Sequence, residues 1–72
     1  EVDLIIERPD QKILAVEVKL SSSISDEDVR HLKWLEGKLG SDLLDSIVVN
    51  TGPKAYRRQD GVAVIPAAMI GL

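Results

Sequence analysis

Three residues near the amino terminus have the types and spacing to bind a metal ion and assist hydrolysis: Asp3, Glu17 and Lys19. Carboxylate oxygens are the ligands that Mg²⁺ prefers, and a bound divalent ion polarises a phosphate oxygen and acidifies its own water. An ammonium group beside such an ion would position the attacking water or stabilise the charge that develops on the phosphate. The three residues therefore predict a catalytic site in which Asp3 and Glu17 bind Mg²⁺ or Mn²⁺.

The three side chains meet only if two apolar segments pair as strands in one register. The apolar residues of these segments should share a face, because a slip of one residue would send one set to the wrong side. The tightest turn, centred on Asp10, then sets Asp3 opposite Glu17, with Lys19 on the same face. Carboxylates that face each other destabilise a strand pair, and a cation between them would compensate. A simple ion pair between Glu17 and Lys19 on a solvated strand face is the alternative.

The remaining segments predict an α/β fold with a mixed β-sheet, in the order β-β-α-β-β with a helical C-terminal tail. The helix is expected to begin at an N-cap, Ser25, with Asp28 as the acid of a capping box, and to end before Gly40. The strand before the helix and the strand after it should be parallel neighbours. The expected ranges are strands over 2–7, 12–20, 46–51 and 62–65, a helix over 25–39, a polar loop over 54–61 and a helical tail over 67–72.

The composition excludes several classes of protein. The chain has 72 residues, with 9 basic and 12 acidic side chains, and 44% of it is hydrophobic, which is typical of one ordered domain. Since it contains no Cys and one His, disulfides and the common zinc sites are not expected. No apolar run approaches the roughly 20 residues that cross a bilayer. We therefore expect a cytoplasmic protein with no membrane partner. Both ends lie in apolar segments, which favours one domain over 1–72 from the C-terminal part of a longer protein.

A second group of residues, in the polar loop, could bind nucleic acid. Lys54, Arg57 and Arg58 surround Tyr56, and basic side chains beside an aromatic ring suit a phosphate backbone. A solvated loop is the alternative, because the net charge of −3 provides no broad basic surface. Trp34 lies off the apolar stripe of the helix, where it would either contact a partner or be a partly buried edge residue.

The order of these features resembles the PD-(D/E)xK nuclease superfamily. Asp3 matches the first acid of its motif, and Glu17 and Lys19 match the E-x-K part. The Pro of the superfamily name is absent before Asp3. The sequence is more closely similar to the nuclease-like C-terminal domain, of unknown function, that is found on AAA-type ATPases of bacteria and archaea. The residues that carry this similarity lie in the segments 1–6, 15–21, 28–32, 51–57 and 61–66.

The resemblance implies a restriction-endonuclease-like core that is truncated at its N-terminus, since the helix that usually precedes the first strand is absent. It implies Mg²⁺-dependent or Mn²⁺-dependent phosphodiester hydrolysis of nucleic acid, as an accessory to an ATPase domain in the same chain. The alternative is a non-catalytic interaction or oligomerisation module that keeps the nuclease fold, with a homo-oligomer as one possible assembly.

Overall fold

The computed structural model of this chain describes the backbone of residues 2–71 and the side chains of residues 4–71. One mixed sheet of five strands packs against one α-helix, in agreement with the predicted α/β class. The elements are β1 (Val2–Glu7), β2 (Ile13–Val18), α1 (Arg30–Leu39), β3 (Leu43–Asn50), β4 (Tyr56–Arg57) and β5 (Ala63–Pro66). Short 3₁₀ turns precede α1, follow α1 and follow β5; they span Glu27–Val29, Gly40–Asp42 and Ala67–Ile70.

The hairpin of β1 and β2 has the register that the apolar alternation predicts. The two strands are antiparallel, and Asp3 pairs with Glu17 while Leu4 pairs with Val16. The turn is closed by the backbone N–H of Arg8, which donates to the Lys12 carbonyl at 2.9 Å. The predicted opposition of the two acidic positions is therefore confirmed at the level of the backbone.

The other strands complete the sheet in the order β1-β2-β3-β5-β4. β2 and β3 are parallel, as predicted for the strands on either side of the helix, and β5 is parallel to β3. The prediction of an uninterrupted loop over 54–61 is wrong, because Tyr56 and Arg57 form the short edge strand β4 against β5. Exposed polar residues suit a sheet edge, so this strand has no apolar alternation to mark it in the sequence.

The helix covers one face of the sheet, and this is not the face that is richest in large apolar residues. Residues that pair across neighbouring strands have their side chains on the same side of the sheet, whether the strands are parallel or antiparallel. The register therefore shows which residues lie on each side. We call the side under α1 the helix face; it carries Ala15, Glu17, Ser46, Val48, Asn50 and Val64. We call the other side the open face; it carries Leu4, Ile6, Leu14, Val16, Val18, Ile47 and Val49.

The burial of the two faces corrects the sequence-based interpretation of the hairpin. Ala15 is fully buried and Glu17 is 9% exposed, whereas Leu4 and Ile6 are each 48% exposed. A single crossover helix covers only one side of a sheet. It covers the side with the small Ala15, where Val29 and Leu32 of the helical segment reach the strands. Glu17 therefore lies in a buried position instead of on a solvated strand face.

The ends of α1 follow the predicted chemistry with one change. The C-terminal end agrees with the prediction, since Leu39 is the last helical residue and Gly40 has a positive φ of 54°. At the other end, a 3₁₀ turn over Glu27–Val29 replaces the first expected α-helical turn. The prediction of Ser25 as the N-cap is wrong, because Asp26 precedes this turn and Val29 precedes α1. The predicted helical tail is limited to the 3₁₀ turn over Ala67–Ile70. In the described part of the chain, no helix has the length and apolar character that crossing a membrane requires.

Candidate metal centre

The candidate site lies where β2 and β3 end, at the edge of the sheet formed by their carboxyl termini. Open parallel sheets bind ligands beyond the carboxyl ends of their strands. Glu17 and Lys19 reach this edge from β2, and the Lys19 N–H donates to the Val49 carbonyl at 2.8 Å, which extends the parallel ladder by one residue. The side chain of Asp3 lies outside the described residues, and its backbone is placed opposite Glu17.

Lys19 is held at this edge by an acidic residue from the segment that enters the helix. Its Nζ atom lies 3.1 Å from Oδ1 of Asp28, and the two side chains are 26% and 18% exposed. The pair joins the end of β2 to the 3₁₀ turn before α1. The ammonium group is therefore fixed in position by a contact that crosses from strand to helix.

Asp28 is itself held by the predicted capping contact with Ser25. Its Oδ2 atom accepts hydrogen bonds from the backbone N–H of Ser25 at 2.9 Å and from the Ser25 hydroxyl at 3.1 Å. The hydrogen bond from the Ser25 backbone N–H and the contact with the Lys19 ammonium hold the pKa of Asp28 below its ordinary value. The carboxylate is therefore charged under ordinary conditions and attracts the Lys19 ammonium group.

Asn50 is a buried polar residue that sequence reasoning missed. Because Lys19 bonds to Val49 in the parallel pattern, Asn50 is the neighbour of Lys19 on the adjacent strand and lies on the helix face with Glu17. It is only 2% exposed. Among the side chains that the structure describes, its Oδ1 atom is a buried oxygen with no hydrogen-bond partner. The sequence contains one signal for this residue, because an Asn ends an otherwise apolar strand.

Gly52 allows the chain to pass close to this edge. A Cβ atom at this position would lie 2.8 Å from the Ser22 carbonyl oxygen and 3.0 Å from Nδ2 of Asn50. Any larger residue would push apart the two segments that follow β2 and β3. The turn predicted at Gly52-Pro53 therefore also sets the packing around Asn50.

The donor atoms at this edge suit a hard divalent cation. Glu17 offers carboxylate oxygens and Asn50 offers a buried carbonyl oxygen, and Mg²⁺ and Mn²⁺ favour oxygen ligands. The charges of Glu17, Lys19 and Asp28 sum to −1, which attracts a cation. No group of three His, Cys, Asp or Glu residues with metal-binding spacing occurs among the described residues. A metal at this edge would consequently need the side chain of Asp3, a carbonyl oxygen, or both.

The three predicted nucleic-acid-binding residues do not form one cluster. Lys54 is exposed. Arg57 donates to both carboxylate oxygens of Asp45, at 2.9 and 3.1 Å, and to the Gly61 carbonyl at 2.7 Å. The pKa of Asp45 is lowered by this bond, and the pKa of Arg57 is raised by it. Arg57 is therefore committed to a contact within the sheet.

Arg58 points to the other side, toward the start of the helix. Its guanidinium donates to the Ile24 carbonyl at 3.0 Å and to both oxygens of Asp60 at 3.3 Å, and it also pairs with Asp26. The side chain is only 13% exposed. A depression of about 340 Å³ is lined by Asp26, Arg58, Gln59 and Asp60, so that two acids outnumber one base there. An anionic phosphate is disfavoured at such a surface, and the nucleic-acid prediction for these residues stays a prediction.

An aromatic and cationic group lies on the solvent side of α1. Trp34 is 56% exposed. Its ring lies 6.0 Å from that of His31, and the Lys38 ammonium is 5.6 Å from its centroid. Trp34 is thus not a buried edge residue, and a contact with a partner stays a prediction.

The comparisons with known proteins give one result. A family model described as a domain of unknown function, DUF4143, matches residues 1–70. No curated protein and no solved structure matches the chain.

Proposed function

The chain belongs to the DUF4143 family of domains of unknown function, and from that premise we propose that it is a metal-dependent nuclease domain of the PD-(D/E)xK kind. In this proposal the sheet and helix are a restriction-endonuclease-like core. Asp3 and Glu17 hold Mg²⁺ or Mn²⁺, Lys19 assists the reaction, and the substrate is the phosphodiester backbone of nucleic acid. The domain serves as an accessory to an AAA-type ATPase domain in the same full-length chain.

The observation that carries this proposal is the register of the hairpin. It pairs the backbone of Asp3 with that of Glu17, and Lys19 follows at the carboxyl edge of the parallel strands. Glu17 is 9% exposed, and buried carboxylates in proteins are paired with another charge or bind a metal. The spacing of an acid, a second acid and a lysine is thus combined with a buried position at the carboxyl edge of the parallel strands.

The residues at this edge have separate tasks in the proposed reaction. A bound divalent cation supplies Lewis-acid polarisation of the phosphate and lowers the pKa of its water. Glu17 holds the cation through its carboxylate. Lys19 donates hydrogen bonds to the attacking water or to the phosphate oxygens, where negative charge grows in the transition state. Asp28 fixes the direction of the Lys19 ammonium through the 3.1 Å contact.

The proposal is tested by cleavage assays on the full-length protein with Mn²⁺ and labelled single-stranded and double-stranded DNA and RNA. We expect cleavage by the wild type and a loss of at least about a hundredfold in Glu17→Gln and Lys19→Met, since each removes a group that acts in the transition state. Glu36→Gln, on the exposed surface of α1, is the matched control and should cleave at the wild-type rate. Cleavage by Glu17→Gln at the wild-type rate would contradict the proposal.

A second candidate function, self-association without catalysis, is supported by the open face. Leu4 and Ile6 are each 48% exposed on this face, although a sheet containing parallel strands is normally covered on both sides. A second copy of the chain would bury these aliphatic side chains.

Light scattering on the full-length protein separates this second candidate from the first. We expect a homo-oligomer that Leu4→Glu dissociates. Leu20→Glu is the control, because Leu20 is 79% exposed and lies beyond the end of β2. A wild-type protein that stays monomeric at high concentration would rule out self-association and leave the nuclease proposal untouched.

A further inference from the structure

We propose that Asn50 is a further ligand of the divalent cation held by Glu17, through its side-chain oxygen Oδ1. This inference rests on the proposed function, because it concerns the same metal. It adds a ligand from β3 to a site that the sequence places on β1 and β2 alone.

The first argument is the burial of an oxygen that has no hydrogen bond. Asn50 is 2% exposed, and its Oδ1 atom has no hydrogen-bond partner among the described side chains and backbone. A buried carbonyl oxygen without a hydrogen-bond partner destabilises the folded state. Proteins rarely keep such an atom unless a water or an ion satisfies it.

The second argument is the place of that oxygen in the sheet. Asn50 lies on the helix face, as Glu17 does, and is the cross-strand neighbour of Lys19. Its amide nitrogen lies beside Gly52 and the Ser22 carbonyl, since Nδ2 is 3.0 Å from the position of a Cβ at Gly52. The oxygen lies farther from the Gly52 position than the nitrogen does. A carbonyl oxygen on the same face as a carboxylate matches the ligand preference of Mg²⁺ and Mn²⁺.

Ser46 provides an internal comparison on the same strand and face. It is 4% exposed, and its Oγ atom also has no hydrogen-bond partner among the described residues. Ser46 pairs with Ala15, however, and lies away from the carboxyl edge. The two positions share burial and an oxygen without a hydrogen bond among the described residues, and each lies two residues from Val48, the partner of Glu17. They differ in that Asn50 is the cross-strand neighbour of Lys19 and Ser46 is not.

Calorimetric titration of the full-length protein with Mn²⁺ alone tests the inference. We expect Asn50→Ala to weaken Mn²⁺ binding by about tenfold or more. Ser46→Ala should bind Mn²⁺ with wild-type affinity. Wild-type affinity in a folded Asn50→Ala, with binding abolished in Glu17→Gln, would overturn the assignment of Asn50 and leave the metal site intact. Absence of binding by the wild type at millimolar Mn²⁺ would overturn the proposed function and this assignment together.

A second variant keeps the test decisive if Asn50→Ala does not fold. Asn50→Asp places a buried carboxylate at the same position, which should lower the melting temperature of the metal-free protein. Saturating Mn²⁺ should then raise the melting temperature of the variant by more than it raises that of the wild type, because a charged oxygen replaces a neutral one. An equal or smaller rise in the variant would contradict the assignment.

Discussion

Two groups of polar side chains flank the start of α1, and they differ in how their polar atoms are satisfied. Around Arg58, the guanidinium bonds to the Ile24 carbonyl, to Asp60 and to Asp26, so that one cation meets three acceptor groups. At the carboxyl edge of β2 and β3, Lys19 pairs with Asp28. The neighbouring Asn50 oxygen has no hydrogen bond among the described residues.

The difference separates a structural cluster from a candidate site. The Arg58 cluster ties the hairpin of β4 and β5 to the loop before α1. Each group has one more acid than base, so net charge does not distinguish them. The carboxyl edge of β2 and β3 differs by the buried Asn50 oxygen, which has no hydrogen bond among the described residues. Arg58, which sequence reasoning assigns to nucleic acid, is thus part of the framework. Asn50, the polar residue at the end of β3, is the residue for which we propose a function.

The largest effect is expected at Arg58. Arg58→Met should lower the free energy of unfolding by about 2–3 kcal/mol, because loss of the 13% exposed guanidinium would remove the charged partner of Asp60 and the side-chain donor to the Ile24 carbonyl. Urea denaturation at neutral pH measures this loss. Arg57→Met is the matched control, and its loss should be smaller because the Arg57–Asp45 pair is more exposed. Equal losses in the two variants would contradict the comparison between a buried cluster and a surface pair.

An intermediate effect is expected from acid. The pKa of Asp28 is lowered in the folded protein, first by the Ser25 amide and then by Lys19, from an ordinary value of 3.8. The unfolded state therefore binds a proton more readily, and this contribution to stability is present above pH 3.8 and is lost as the pH falls through the lower folded pKa.

Melting temperatures measured from neutral pH down into the acid range below pH 3.8 test the role of this carboxylate, since the Asp28 contribution should fade there. Asp28→Asn should be less stable than the wild type at neutral pH, and the difference should shrink in acid. Asp10→Asn, an exposed acid in the hairpin turn, is the control. A constant difference across the pH range would show that Asp28 does not act through its charge.

The smallest effect is expected at Ser46. Ser46→Ala removes a buried hydroxyl oxygen that has no hydrogen bond among the described side chains. Since no bond is lost, the free energy of unfolding should change by less than about 1 kcal/mol in either direction. A loss of several kcal/mol in urea denaturation would mean that the Ser46 hydroxyl has a hydrogen-bond partner in solution. Ser46 would then no longer serve as a comparison for Asn50.

The strongest sequence-based predictions concern neighbours in the chain. The alternation of Leu4 and Ile6 with polar positions sets the register with β2, because only one parity keeps the apolar sets on one face. The Ser25–Asp28 contact follows from a spacing of three residues at a helix start. These features depend on short segments whose geometry is repetitive.

Other features depend on contacts between distant segments and carry no local signal. The partners of Arg58 lie up to 34 residues away, at Ile24, and nothing near Arg58 marks it as buried. The edge strand β4 arises from pairing with β5, although its two residues are exposed and polar or aromatic. The expected basic cluster is divided because Arg57, at the end of β4, bonds to Asp45, whereas Arg58 bonds to Ile24 and Asp26 in the loop before α1.

The amino-acid sequence by itself determined the hairpin register, the parallel pairing of β2 with β3, the Ser25–Asp28 contact and the end of the helix, since periodicity and local hydrogen bonding suffice for each. Only the tertiary structure decided which face α1 covers. That choice buries Glu17 and leaves the larger aliphatic side chains on the open face, while the register of β2 with β3 places Asn50 next to Lys19. The physical reason is that one helix covers one face of a sheet, and the packing of the whole chain selects that face.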